Sequence, residues 1–203
     1  MNILYKLLFT LMFVTTLCGC ENSDDVNSEQ QESIVSYLTS THSPKLVTES
    51  EALSSLVPET PFYTKTGSTT YMYVEDYYSA DRETMPEIAN GSVVELTYTM
   101  YDFTDTTTPS VYTLLYTNDS DLKSTLISEG FNTLYWDFNP LEITIGQGSL
   151  FSTVERLMVG CHEGDILEFY LTTHDAYGDV MVGVAEEDSA VALFCEILKV
   201  VND

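Results

Sequence analysis

Hydrophobic positions change period twice in one short stretch, and that change organises the chain. PLEITI (140–145) reads as an apolar strand ended by the Gly146-Gln147-Gly148 turn. Leu150, Val154, Leu157 and Met158 follow at i, i+4, i+7 and i+8, one apolar face of a short helix. Gly160 and Gly164 break that helix. DILEFYLTT (165–173) then alternates, with Leu167, Phe169 and Leu171 on one side of a half-buried strand. Ala176-Tyr177-Gly178 puts a phenol on a turn just beyond it.

The same alternation marks other strands. SVVELTYTMYDF (92–103) sets Val94, Leu96, Tyr98 and Met100 on one face, VYTLLY (111–116) reads as the next strand, and 190–200 as the last. A strand after the Gly67-Ser68 turn begins the domain, and 76–91 is a loop closed by Asn90-Gly91. Residues 117–139 form a long polar and aromatic insertion that carries the only tryptophan, Trp136, with a helix expected at Leu122 to Ile127. Upstream, 21–33 reads as a flexible acidic tether. Ser28 and Gln31 form a capping box that opens a helix through Ile34, Val35, Tyr37 and Leu38. Residues 40–60 read as linker with a turn at Ala52 to Leu56. The expected class is α+β: an antiparallel sheet wrapped around one short helix, preceded by an N-terminal helical arm.

The first residues change the picture of where the chain resides. Lys6 and the apolar run Leu7 to Val14 have the form of a secretory signal, too short to span a membrane. Leu17-Cys18-Gly19-Cys20 resembles a bacterial lipobox, so 1–19 is expected to be removed and Cys20 to carry the lipid. The organisation is then a signal peptide (1–19), a lipidated tether and arm (20–60) and a domain (61–203). The expected location is the outer membrane, facing the periplasm or the cell surface. Glu21-Asn22-Ser23-Asp24-Asp25 fits either a surface-export signal or a plain acidic spacer.

Charge narrows the partners. The formal net charge is −25, which repels nucleic acid and anionic lipid surfaces. Cys161 and Cys195, both at apolar positions, read as two buried free thiols rather than a disulfide. No metal-ligand spacing is present, and Asp119-Ser120-Asp121 and Glu186-Glu187-Asp188 read as solvated loop acids rather than a calcium site.

The order GxG, short helix, Val-Gly turn, strand, Ala-Tyr-Gly and apolar strand resembles the FKBP-type peptidyl-prolyl isomerases. GVAEEDSAVALFCEILKV (183–200) is similar to that family's closing loop and strand. The resemblance covers roughly the last two-thirds of the chain and implies rotation about X-Pro bonds in proline-containing polypeptides, without cofactor or metal. It implies Tyr98, Tyr177 and Phe151 as the catalytic set. It implies Tyr116, Leu141, Leu150, Val154, Val184, Ala185 and Leu193 as a substrate-binding cup. Val154 stands where the family has a tryptophan floor, Leu141 and Leu193 where it has phenylalanines, and its aspartate is missing unless Asp119 or Asp121 moves in. Tyr98, Leu150 and Leu193 fit a plain core as well as a pocket.

Three functions therefore stay open. One is a prolyl isomerase of weakened activity on exported polypeptides, and another is a degenerate FKBP-like binding module of the envelope. The third is a structural subunit docked through the 28–60 arm.

Overall fold

The computed structural model describes residues 23–54, 61–65, 67–75, 77–103, 110–177 and 190–202. Cys20, Val184, Ala185 and the acids at 186–188 lie outside the described residues. Seven strands among them form one antiparallel sheet: β1 (Tyr63–Thr64), β2 (Tyr71–Val74), β3 (Val93–Phe103), β4 (Leu114–Thr117), β5 (Leu141–Thr144), β6 (Ile166–Leu171) and β7 (Ala190–Val201). Their order is β1-β2-β6-β7-β3-β4, and β5 also pairs with β3. The helices are α1 (Ser23–Ser40), α2 (Glu49–Ser54), α3 (Lys123–Ser128), α4 (Ser152–Met158) and α5 (Thr173–Ala176). This is the α+β class that the periodicity predicts.

β7 runs along one edge of β3 for its whole length, from Val93 to Phe103. The other edge is shared: β5 pairs with Val93 to Leu96 and β4 with Thr99 to Tyr101. The insertion leaves the sheet after β4 and returns at β5, so its two ends meet at the gap beside Tyr98. Asn118 closes that gap with its side chain. Its Oδ1 accepts the Tyr98 N–H at 2.6 Å, and its Nδ2 donates to the Leu96 and Asn139 carbonyls at 3.2 and 3.1 Å. Buried backbone groups need partners, and here one amide side chain replaces a strand.

Alternation sends neighbouring residues to different cores. Leu167, Phe169 and Leu171 of β6 join Val94, Leu96 and Met100 of β3 and pack against Val154, Leu157 and Met158 of α4. Tyr170, Tyr71, Phe103, Ala190 and Ala192 face the other way, onto Ile34 and Leu38 of α1 and onto Phe62. The arm therefore packs on its own domain. Ile34 and Leu38 are both fully buried, and such burial stabilises by roughly 1.5–3 kcal/mol per side chain.

Polar contacts complete the arm side. Gln30 accepts the Thr173 N–H and donates to Thr173 Oγ1, both at 2.8 Å. His42 Nε2 lies 3.3 Å from Glu168 Oε1, which also accepts the Tyr170 O–H at 2.7 Å. Burial by itself lowers the His42 pKa, but the Glu168 carboxylate and the Pro44 carbonyl outweigh it and hold the value above the ordinary 6.5.

Three local expectations are corrected. α1 starts at Ser23, so Ser28 and Gln31 sit inside a helix rather than capping one, and the tether read at 21–33 is helical from Ser23. Its polar residues are tolerable helix formers, and contacts such as the Gln30 clamp supply what the sequence pattern lacks. β4 starts at Leu114 instead of Val111, because Ser110 forms a turn with the Thr113 N–H at 3.0 Å. The 76–91 loop holds a 3₁₀ turn at Arg82–Thr84, and Arg82 makes a buried two-pronged pair with Asp165 at 2.8 and 2.9 Å. Cys161 and Cys195 are free and buried, with burial pushing the Cys161 thiol up to about 12 and the Cys195 thiol further in the same direction.

Candidate active site

The site is built where the α4 core reaches the surface. Gly146 and Gly148 take φ of 90° and 72°, a left-handed backbone that only glycine adopts without strain, which explains the Gly-Gln-Gly turn. Glu155 then holds the turn to the helix. Its carboxylate accepts the N–H groups of Gly146, Gly148 and Leu150 at 2.9, 3.0 and 2.8 Å while the side chain is 1 % exposed. Three charge-assisted bonds of this kind fix a loop that packing alone would leave adjustable. They also occupy the Leu150 N–H, so that group does not point free into the rim as a donor.

Tyr177 sits on a turn, as expected, and that turn caps the short helix α5. Its N–H donates to the Thr173 carbonyl at 2.8 Å. α5 is held from both sides: Gln30 clamps Thr173, and Asp175 Oδ2 accepts the hydroxyls of Thr69 and Thr70, the latter at 3.0 Å. The Tyr177 ring meets Phe151 edge-on, with centroids 5.3 Å apart at 90°. Its hydroxyl donates to Met100 Sδ at 3.1 Å. A thioether is a weak acceptor, so a carbonyl entering the rim can accept that hydrogen bond in its place at little cost. Burial, helped by the negative charge of Asp102, pushes the Tyr177 pKa up to about 12 and keeps the phenol a donor at neutral pH.

Tyr98 lies between the two ends of the rim. Burial first, then the neighbouring phenols Tyr116 and Tyr177 and the Cys195 thiol, push its pKa up to about 12. It stacks on Tyr116 at 5.6 Å and 28°, and Tyr116 stacks on Trp136 at 5.5 Å and 29°. The insertion thus brings its tryptophan to the rim, two rings away from Tyr98, and does not place it on the Val154 floor.

The remaining candidates divide by depth. Leu141, Leu150, Phe151 and Tyr116 are half-buried and pack on the α4 core beside Tyr98 and Tyr177. Val154 and Leu193 are 0 % exposed and belong to that core. In this arrangement they shape the rim from beneath and are closed to direct contact.

Neither Asp119 nor Asp121 fills the place of the absent acid. Asp119 caps its own 3₁₀ turn by accepting the Asp121 N–H at 2.9 Å, and its charge acts on Tyr101, while Asp121 is exposed. Asp102 is the carboxylate that acts on Tyr177. Strand alternation carries the signal for it, since 98, 100 and 102 fall on one face of β3. Glu155 gave no comparable signal, because a Glu within a short helix reads as surface.

No family model matches the sequence, and no characterised protein matches it by sequence. Solved structures similar in shape include the following three. FkpA from Escherichia coli aligns with a TM-score of 0.43 and 12 % identity, over 68 % of this chain and 51 % of that one. A peptidyl-prolyl cis-trans isomerase from Pseudomonas syringae pv. tomato aligns with a TM-score of 0.49 and 9 % identity, over 91 % of this chain and 99 % of that one. The structure of the three FKBP domains of wheat FKBP73 aligns with a TM-score of 0.46 and 14 % identity, over 68 % of this chain and 49 % of that one. The aligned part thus spans about half the length of FkpA and of the wheat protein.

Proposed function

We propose that the chain is a peptidyl-prolyl cis–trans isomerase of weakened activity, acting on exported polypeptides from a lipid anchor at Cys20 in the outer membrane. Rotation about an X-Pro amide is slow because conjugation holds the bond planar, with a barrier of about 18–20 kcal/mol. The step needs no nucleophile and no cofactor. It needs an apolar rim that excludes water from the amide and a donor that favours the twisted form. The observation that carries this reading is the Tyr177 phenol. It is half-buried between Phe151 and Met100, remains protonated at neutral pH, and donates only to a thioether in the hydrogen bond described. Tyr98, Leu141 and Leu150 supply the surrounding apolar wall.

The second reading, a partner-binding module, is favoured by two observations. Val154 offers no wide aromatic floor, and Glu155 already takes the Leu150 N–H.

A protease-free X-Pro isomerisation assay separates the two. We expect measurable acceleration that falls about tenfold or more in Tyr177→Phe, the loss of roughly 1.4 kcal/mol of transition-state stabilisation. The melting temperature of that variant should move little, because an O–H···S contact is a weak bond. A folded protein that binds proline peptides but never accelerates their isomerisation would make it a binding module.

A further inference from the structure

The rings at the rim do not stop at Tyr98. Tyr98, Tyr116, Trp136 and Phe138 stack in succession at 5.6, 5.5 and 6.2 Å, with interplanar angles of 28°, 29° and 29°. The row is held in place. The Tyr116 hydroxyl donates to the Asp137 carbonyl at 3.2 Å and accepts the Asp137 N–H at 3.3 Å. Trp136 and Phe138 nonetheless remain partly exposed. The outer ring already carries a cation: Lys123 Nζ lies 5.0 Å from the Phe138 centroid.

Charge singles out the occupant. The protein has a formal charge of −25, exposed Asp137 lies between Trp136 and Phe138 in the chain, and exposed Glu142 follows them. π faces in a negative field attract cations, and a planar guanidinium also stacks on them. We propose that Tyr116 and Trp136 form an accessory subsite for an Arg or Lys side chain of a proline-containing polypeptide whose prolyl ring lies at the Tyr98–Tyr177 rim. The proposal rests on the isomerase reading of that rim and extends it by naming the substrate class: basic, proline-containing segments. The two ring spacings from Tyr98 to Trp136 total about 11 Å, which an extended chain covers in about three residues.

Trp136 is the only tryptophan, so its fluorescence reports the subsite directly. The purified protein is titrated with two peptides of identical composition, one with Arg three residues before the proline and one with Arg three residues after it. Affinities are read in parallel by calorimetry. We expect one placement to bind at least fivefold tighter and to shift Trp136 emission, and that preference to vanish in Trp136→Leu. Equal affinity of the two placements, or a preference that survives in Trp136→Leu, would overturn the subsite. The first comparison uses the unaltered protein and stays decisive if the variant does not fold. A third peptide, with Ala replacing Pro, separates the two claims. If it matches the better Arg-Pro peptide in affinity and in Trp136 response, the subsite stands and the prolyl reading of the rim fails. If it binds more weakly while keeping the Trp136 response, both stand.

Discussion

The two faces of the sheet share the same strands and are held together by different physics. Toward α4 the contacts are mostly aliphatic: Leu96, Leu157, Leu167 and Val191 meet with no polar group to satisfy. Toward α1 they are aromatic and polar-tipped. Tyr37 meets Phe103 at 5.4 Å, His42 meets Phe62 at 4.5 Å, and Glu168 joins His42 to Tyr170. The aliphatic face gains stability from area removed from water, which does not depend on pH. The aromatic face adds edge-to-face geometry and a titrating histidine, so it is the side on which solution conditions act. The rim with Tyr98 and Tyr177 opens from the aliphatic face, and the arm's Gln30 clamps α5, which Tyr177 caps.

Phe169 and Tyr170 are adjacent in β6 and serve opposite faces, so they offer the sharpest break. Phe169 is fully buried, and Phe169→Ala should cost about 3–5 kcal/mol, read by denaturant unfolding. Tyr170→Phe, which keeps the ring and loses the hydroxyl's bonds to Glu168 and Tyr37, should cost about 1.5–3 kcal/mol. Similar costs for the two would mean that the arm side depends on its polar tips as much as the other side depends on packing.

Glu155 is the polar exception on the aliphatic face. Glu155→Gln leaves three backbone donors competing for one amide oxygen, and should cost about 1–3 kcal/mol. Hydrogen exchange at Gly146, Gly148 and Leu150 should rise with it, and unchanged protection there would remove Glu155 from the account of the rim.

The smallest effect is a pH slope. The folded-state pKa of His42 lies above its ordinary 6.5, so the protonated ring favours the folded protein. That contribution is complete below 6.5 and is lost as pH rises through the folded value. Melting temperature should therefore decline across the window just above 6.5, and His42→Gln should flatten the decline. A slope unchanged in that variant would assign it elsewhere.

Periodicity made much of this architecture legible. The alternation of β3, β6 and β7 and the i, i+4, i+7, i+8 run of α4 are short-range patterns whose buried faces follow from geometry. The start of α1 was not legible, because an acidic, polar run carries no periodic apolar signal and is helical here with its Gln30 bound to Thr173. At the site, Tyr177 and Phe151 were readable from the motif order. Strand alternation gave the face of Asp102, but Glu155 was not readable, since an acid within a short helix takes its role from what it faces.

The chain by itself determined which residues are apolar on which side of each element, where glycines must turn it, and that Cys161 and Cys195 lie in the core. Tertiary structure alone decided that the arm covers the second face of the sheet. It also decided that Asn118 bridges the gap between β4 and β5, and that Trp136 stacks two rings away from Tyr98. The reason is range. Periodicity is a property of neighbours along the chain, whereas these contacts join residues 18 positions or more apart, as in Tyr98 with Tyr116. Their geometry exists only once the sheet has brought the strands together.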